Sequence, residues 1–104
     1  MRSQAFEEAA QQWVFRTEEV DIWINALERP DQRFDLHGQV FALTEDEGTG
    51  GMAAQLLREG RETGMATVDD YGEFMIPAVP SGAYALVIAG KGIEVHCAPV
   101  SFGN

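Results

Sequence analysis

Hydrophobic positions along the chain follow two different periods. At the start, Phe6, Ala9, Ala10 and Trp13 are spaced i, i+3, i+4 and i+7, which places them on one stripe of a helix. Ser3 is placed to cap that helix, and Glu7 and Glu8 fall in its early turns, where the helix dipole favours acids. The spacing predicts a helix over residues 3–13. It is too short to be stable alone and needs a surface to dock on.

From Val14 the period becomes two. Val14–Thr17 reads as a short strand, and Val20, Ile22 and Ile24 then alternate with Asp21, Trp23 and Asn25. After the break at Arg29-Pro30-Asp31-Gln32, Phe34, Leu36, Gly38 and Val40 alternate with Asp35, His37, Gln39 and Phe41. Each segment reads as a half-buried strand. Residues 52–58 are a weaker strand candidate, since Ala-Ala-Gln-Leu-Leu would also suit a helical turn, and strands follow at 64–68 and 73–76. Tyr84, Leu86 and Ile88 form one strand face, and Ile93, Val95 and Cys97 another that can run on to Phe102.

The turns between these segments carry their own chemistry. Thr44 to Gly51 is an acidic, glycine-rich loop, and Glu59-Gly60-Arg61-Glu62 makes a turn. In Asp69-Asp70-Tyr71-Gly72 the Asp side chain bonds the backbone and Gly accepts a positive φ, and in Val79-Pro80-Ser81-Gly82 the Pro fixes φ. Ala89-Gly90-Lys91-Gly92 turns the chain once more. Seven to eight short strands at this spacing predict an all-β, antiparallel β-sandwich. Residues 1–13 are expected as its docked helix and 14–104 as the sandwich domain. The expected core is Val20, Ile22, Ile24, Phe34, Leu36, Val40, Leu56, Phe74, Ile76, Tyr84, Leu86, Ile88, Ile93 and Val95.

Composition bounds the function classes. A chain of 104 residues, 45% hydrophobic, supports one core. The formal net charge of −10 repels phosphate backbones and anionic membranes, so neither nucleic acid nor membrane is an expected partner. It suits solubility or a basic protein partner. No apolar run has signal-peptide or membrane-spanning length, and the single cysteine, Cys97, excludes an internal disulfide and a cysteine-based metal cluster. The expectation is a cytoplasmic protein without a cofactor.

The run Asp35-Leu36-His37-Gly38-Gln39-Val40, continued by Ala66-Thr67-Val68-Asp69-Asp70-Tyr71-Gly72-Glu73-Phe74 and Val79-Pro80-Ser81-Gly82-Ala83-Tyr84-Ala85-Leu86, resembles the carboxypeptidase regulatory-like, or transthyretin-like, β-sandwich superfamily. The likeness covers about residues 34–97 and implies a transthyretin-like Greek-key sandwich. It implies little about activity, because the module hosts many roles. The layout with extra strands at Val14–Thr17 and Val20–Leu27 is also similar to small bacterial proteins often encoded beside extracytoplasmic-function sigma factors. That similarity implies a regulatory association with transcription or stress signalling. Enzymatic members of the superfamily fit poorly. The C-terminus Ser101-Phe102-Gly103-Asn104 lacks the hydroxyisourate hydrolase motif, and only Tyr71 and Tyr84 are available for the paired tyrosine ligands of intradiol dioxygenases. The one lysine, Lys91, lies in a late hairpin, away from the early strand that an isopeptide bond requires.

Two groups of residues remain as candidate chemistry. His37 with Asp35, and His96 with Glu94, each share a strand face. If their strands were neighbours, they would converge on a divalent metal and support a small metal-dependent hydrolase. The plain alternative is two solvated histidines. Glu45-Asp46-Glu47 and Asp69-Asp70 lack calcium-loop spacing and read as a solvated loop and a turn. The second group is aromatic. Trp23 and Phe41 lie on outward registers and form a partner-binding patch together with Phe6 and Trp13. Three accounts are open: a protein or sugar ligand, docking of the Phe6/Trp13 helix, and self-association as a homodimer. Sugar binding would need coplanar exposed rings. Cys97, inward beside Val95, reads as an inert core thiol. The reading is therefore a non-enzymatic interaction module.

Overall fold

The structure, a computed structural model, describes residues 3–5 (as backbone), 11–42 and 50–103. Among these residues the chain forms nine strands and no helix: β1 Ser3–Ala5, β2 Gln11–Arg16, β3 Val20–Glu28, β4 Phe34–Ala42, β5 Ala53–Arg58, β6 Arg61–Thr67, β7 Glu73–Val79, β8 Gly82–Gly90 and β9 Ile93–Phe102. All pairings are antiparallel. One sheet has the order β1-β2-β3-β4-β7 and the other β6-β5-β8-β9. The sheets approach at β6 with β7 and at β2 with β9, so the fold is an all-β sandwich.

The predicted helix over 3–13 is not formed. Ser3–Ala5 pairs with Trp13–Phe15, and Gln11–Arg16 pairs with Asp21–Ala26, so both ends of the expected helix are strand. Residues 6–10 lie outside the described residues. The reason is visible in β2. Trp13 stands opposite Ile24 and Phe15 opposite Ile22, which extends the inner face of β3 by two large side chains. A helix of three turns has little intrinsic stability to set against that burial. The boundary expected between residues 13 and 14 falls inside β2.

Every residue expected in the core is buried except Ile93, which packs partly buried against it. The core also takes Trp13, Phe15, Met52, Ala54, Val68, Val79, Cys97, Val100 and Phe102. Phe102 joins the two sheets. Its ring lies 4.9 Å from Phe34, stacks on Tyr84 at 5.3 Å, and meets Trp13 edge-on at 6.3 Å. Tyr84 Oη donates to the Pro80 carbonyl at 2.7 Å, and the Arg58 guanidinium lies over the Tyr84 ring.

The turn at 69–72 forms as its residues dictate. Asp69 Oδ1 accepts from the Tyr71 and Glu73 N–H groups at 2.9 and 2.8 Å, and Gly72 takes φ 85°. The turn is tied to β4 because Val40 N donates to Gly72 O and Gln39 Nε2 donates to Tyr71 O, each at 2.7 Å. The turn after β5 is tighter than expected. Glu59-Gly60 alone makes it, and β6 begins at Arg61. The acidic loop from Thr44 lies largely outside the described residues.

Candidate functional site: a groove on the outer face of the five-stranded sheet

Side chains alternate across a strand, so burying Ile22, Ile24, Leu36, Val40, Phe74 and Ile76 sends their neighbours to the outside. On β3 these are Trp23 and Asn25, on β4 His37 and Gln39, and on β7 Glu73 and Met75. The register sets them in two rows: Trp23, Gln39 and Glu73 in one, Asn25, His37 and Met75 in the other. They line an open groove of about 510 Å³, closed at the β7 side by Thr67 and Asp69. Gly38 and Phe74 form part of its floor. Phe74 reaches across the β4 backbone where Gly38 has no side chain: a Cβ there would stand 1.9 Å from Phe74 Cζ.

Trp23 forms one wall. It is 43% exposed, and Phe41 beside it is 46% exposed. Their rings lie 5.9 Å apart at 71°. They therefore make one edge-to-face patch and not the coplanar platform that sugar stacking calls for. Val14, opposite Trp23 on β2, is 3% exposed although it faces away from the core. The lining carries the carboxylates of Asp69 and Glu73, and no Lys or Arg. Gln39 has its amide N–H engaged by Tyr71 O, which leaves its carbonyl oxygen as an acceptor.

The other candidates are placed differently. Trp13 is 6% exposed and faces the core, so it is no part of an outer patch. Docking of a Phe6/Trp13 helix stripe over Trp23 is excluded by the same inward placement. Phe6 and Glu45-Asp46-Glu47 lie outside the described residues. His37 and His96 do not meet. β4 and β9 belong to different sheets, and each histidine faces outward from its own sheet, so the two lie on opposite faces of the sandwich. Among the described residues no group of three or more His, Cys, Asp or Glu side chains is arranged to hold a metal.

The acids expected beside the histidines are present, with other partners or roles. Glu94 Oε2 and His96 Nε2 pair at 2.6 Å on an exposed surface. Asp35 Oδ1 accepts from Ala78 N at 3.0 Å and from Arg29 Nη1 at 3.3 Å. Chiefly through the Ala78 N–H, these contacts hold its carboxyl below the usual carboxylate range against a partial desolvation. Asp35 thus ties the β3–β4 connection to the end of β7. Burial pushes the Cys97 thiol up to about 12, so the thiolate needed for chemistry is not accessible.

Sequence reasoning found Trp23 and Phe41 and missed the groove beside them. Alternation alone marks Asn25, Gln39, Glu73 and Met75 as outward. Nothing in the pattern puts β7 next to β4, since two strands of the other sheet intervene in the chain.

No family model matches the chain, and no curated protein or solved structure is significantly similar to it.

Proposed function

We propose that the chain is a non-enzymatic protein-interaction module that binds its partner through the outer face of the five-stranded sheet. The observation that carries this reading is the half-exposed Trp23–Phe41 pair bordering a groove of about 510 Å³. Large aromatic side chains left in water beside a concave surface are the usual anchors of recognition. The sandwich itself is read as carboxypeptidase regulatory-like, or transthyretin-like. The Asp69-to-Gly72 turn and the Tyr84 hydroxyl bonded to Pro80 support that reading at the residues that carry the resemblance. A regulatory role in a bacterial sigma-factor or stress-signalling setting, in the cytoplasm, accords with it.

The test uses two double variants of the full chain. Trp23→Ala/Phe41→Ala strips the proposed face, and Glu94→Gln/His96→Gln alters the opposite one. Circular dichroism and thermal melts establish that both are folded. The expected result is that a partner captured by the wild type is retained by the second variant and lost by the first. Light scattering reports whether that partner is a second copy. Equal capture by both variants would overturn the proposal.

A further inference from the structure

We infer that the groove receives the arginine side chain of a basic polypeptide segment, with Trp23 and Glu73 as its principal contacts. This rests on the outer-face reading above and names the chemistry of the partner.

The first argument is charge complementarity. The chain carries 17 acidic and 7 basic residues, and none of the basic ones lines the groove. Two acidic residues, Glu73 and Asp69, are part of its lining. Asp69 is committed to its own turn through Oδ1, so Glu73 is the carboxylate that receives the ligand. An anionic ligand would meet these acids with no guanidinium or ammonium group to offset them.

The second argument is the shape and order of the contacts. Trp23, Gln39 and Glu73 stand in register on three adjacent strands. Adjacent strands are about 4.8 Å apart, so the row spans about 10 Å. It offers, in sequence, an indole ring, an amide oxygen and a carboxylate. A guanidinium is planar, stacks on aromatic faces and carries five N–H donors. Seated against Trp23, it donates to Gln39 Oε1 and Glu73. The fold already holds one such contact internally, where Arg58 lies 5.6 Å from the centre of the Tyr84 ring. A neutral citrulline keeps the planar shape and most of the N–H donors but not the charge, so it is the competing ligand of the test.

The experiment titrates the full chain into a fluorescein-labelled nonapeptide of alternating Gly and Arg, read by anisotropy, beside the same peptide with citrulline in place of arginine. The expected result is saturable one-to-one binding of the arginine peptide, at least tenfold weaker for the citrulline peptide. Trp23→Ala and Glu73→Gln should each weaken it at least tenfold. Glu94→Gln, which removes the same charge from the opposite face, should leave it within about twofold. Thermal melts confirm that these surface variants fold. Three results overturn the inference: no saturable binding, equal losses for Glu73→Gln and Glu94→Gln, or equal binding of the citrulline peptide. If the peptide fails while Trp23→Ala/Phe41→Ala still abolishes partner capture, the face stands and the cationic ligand falls. If both fail, both fall.

Discussion

Gly38 shows how much one missing atom can specify. Its backbone is not in the left-handed region, so conformational freedom is not the reason for glycine here. The reason is space. The Phe74 ring occupies the volume a side chain would need, with three ring carbons within 2.5 Å of an ideal Cβ. Both residues are buried in a close-packed interior, so neither moves freely. Gly38→Ala is expected to destabilise the fold by about 1–3 kcal/mol through overpacking. Urea unfolding measures this directly. Phe74→Leu in the Gly38→Ala background should recover part of the loss, because the shorter side chain no longer reaches the new methyl. A Gly38→Ala loss within about 0.5 kcal/mol, the range of an ordinary surface change, would contradict the packing described. The same ring underlies the groove, so this contact links the core to the recognition face.

The hairpins of the four-stranded sheet show sequence and backbone agreeing only in part. Glu59-Gly60 joins β5 to β6 with φ of 53° and 81°, and Lys91-Gly92 joins β8 to β9 with φ of 54° and 79°. Positive φ at both central positions is the mark of a type I′ turn, whose preferred pair is Asn-Gly. Each turn has its glycine and places a long charged residue where Asn costs less. Glu59→Asn and Lys91→Asn are each expected to stabilise the chain by about 0.5–1 kcal/mol. The turns lie at opposite ends of the β5–β8 pairing, so the two gains should add in the double variant. Shifts of the urea midpoint, singly and combined, are the readout. The strands that alternate cleanly, such as β3 and β4, were legible in the sequence because one face is wet and one is dry. β2 was not. Val14 is buried on the outer side while Trp13 and Phe15 are buried on the inner side, so no period-two signal survives. The chance spacing of Phe6, Ala9, Ala10 and Trp13 then read as a helix. β6 begins with Arg61, Glu62 and Thr63, all exposed, which blurred its start. The groove was out of reach for another reason: it depends on β7 lying beside β4, which only the assembled sheet supplies.

At the scale of the whole molecule, the two sheets are held together by a core that no disulfide reinforces, and Cys97 reports on that core from within. Its side chain is fully buried on β9 opposite Leu86, and its thiol is pushed up to about 12 by burial. At pH 8 the folded chain therefore holds almost no thiolate, and a thiol reagent reacts only after the cysteine is exposed. Although β9 ends its sheet in the pairing order, its last aromatic residue ties it to both layers: Phe102 meets Trp13 and Phe34 of one sheet and Tyr84 of the other. Peeling β9 away would break these contacts together, so exposure of Cys97 is expected to require global unfolding. For an unfolding free energy of about 5 kcal/mol, the low end for a small domain, labelling should be slower than in the denatured chain by a factor of several thousand, roughly. The logarithm of the labelling rate should rise with urea at the slope of equilibrium unfolding. A rate that stays flat in urea would mean that β9 opens alone. The cluster around Phe102 would then not be what joins the sheets.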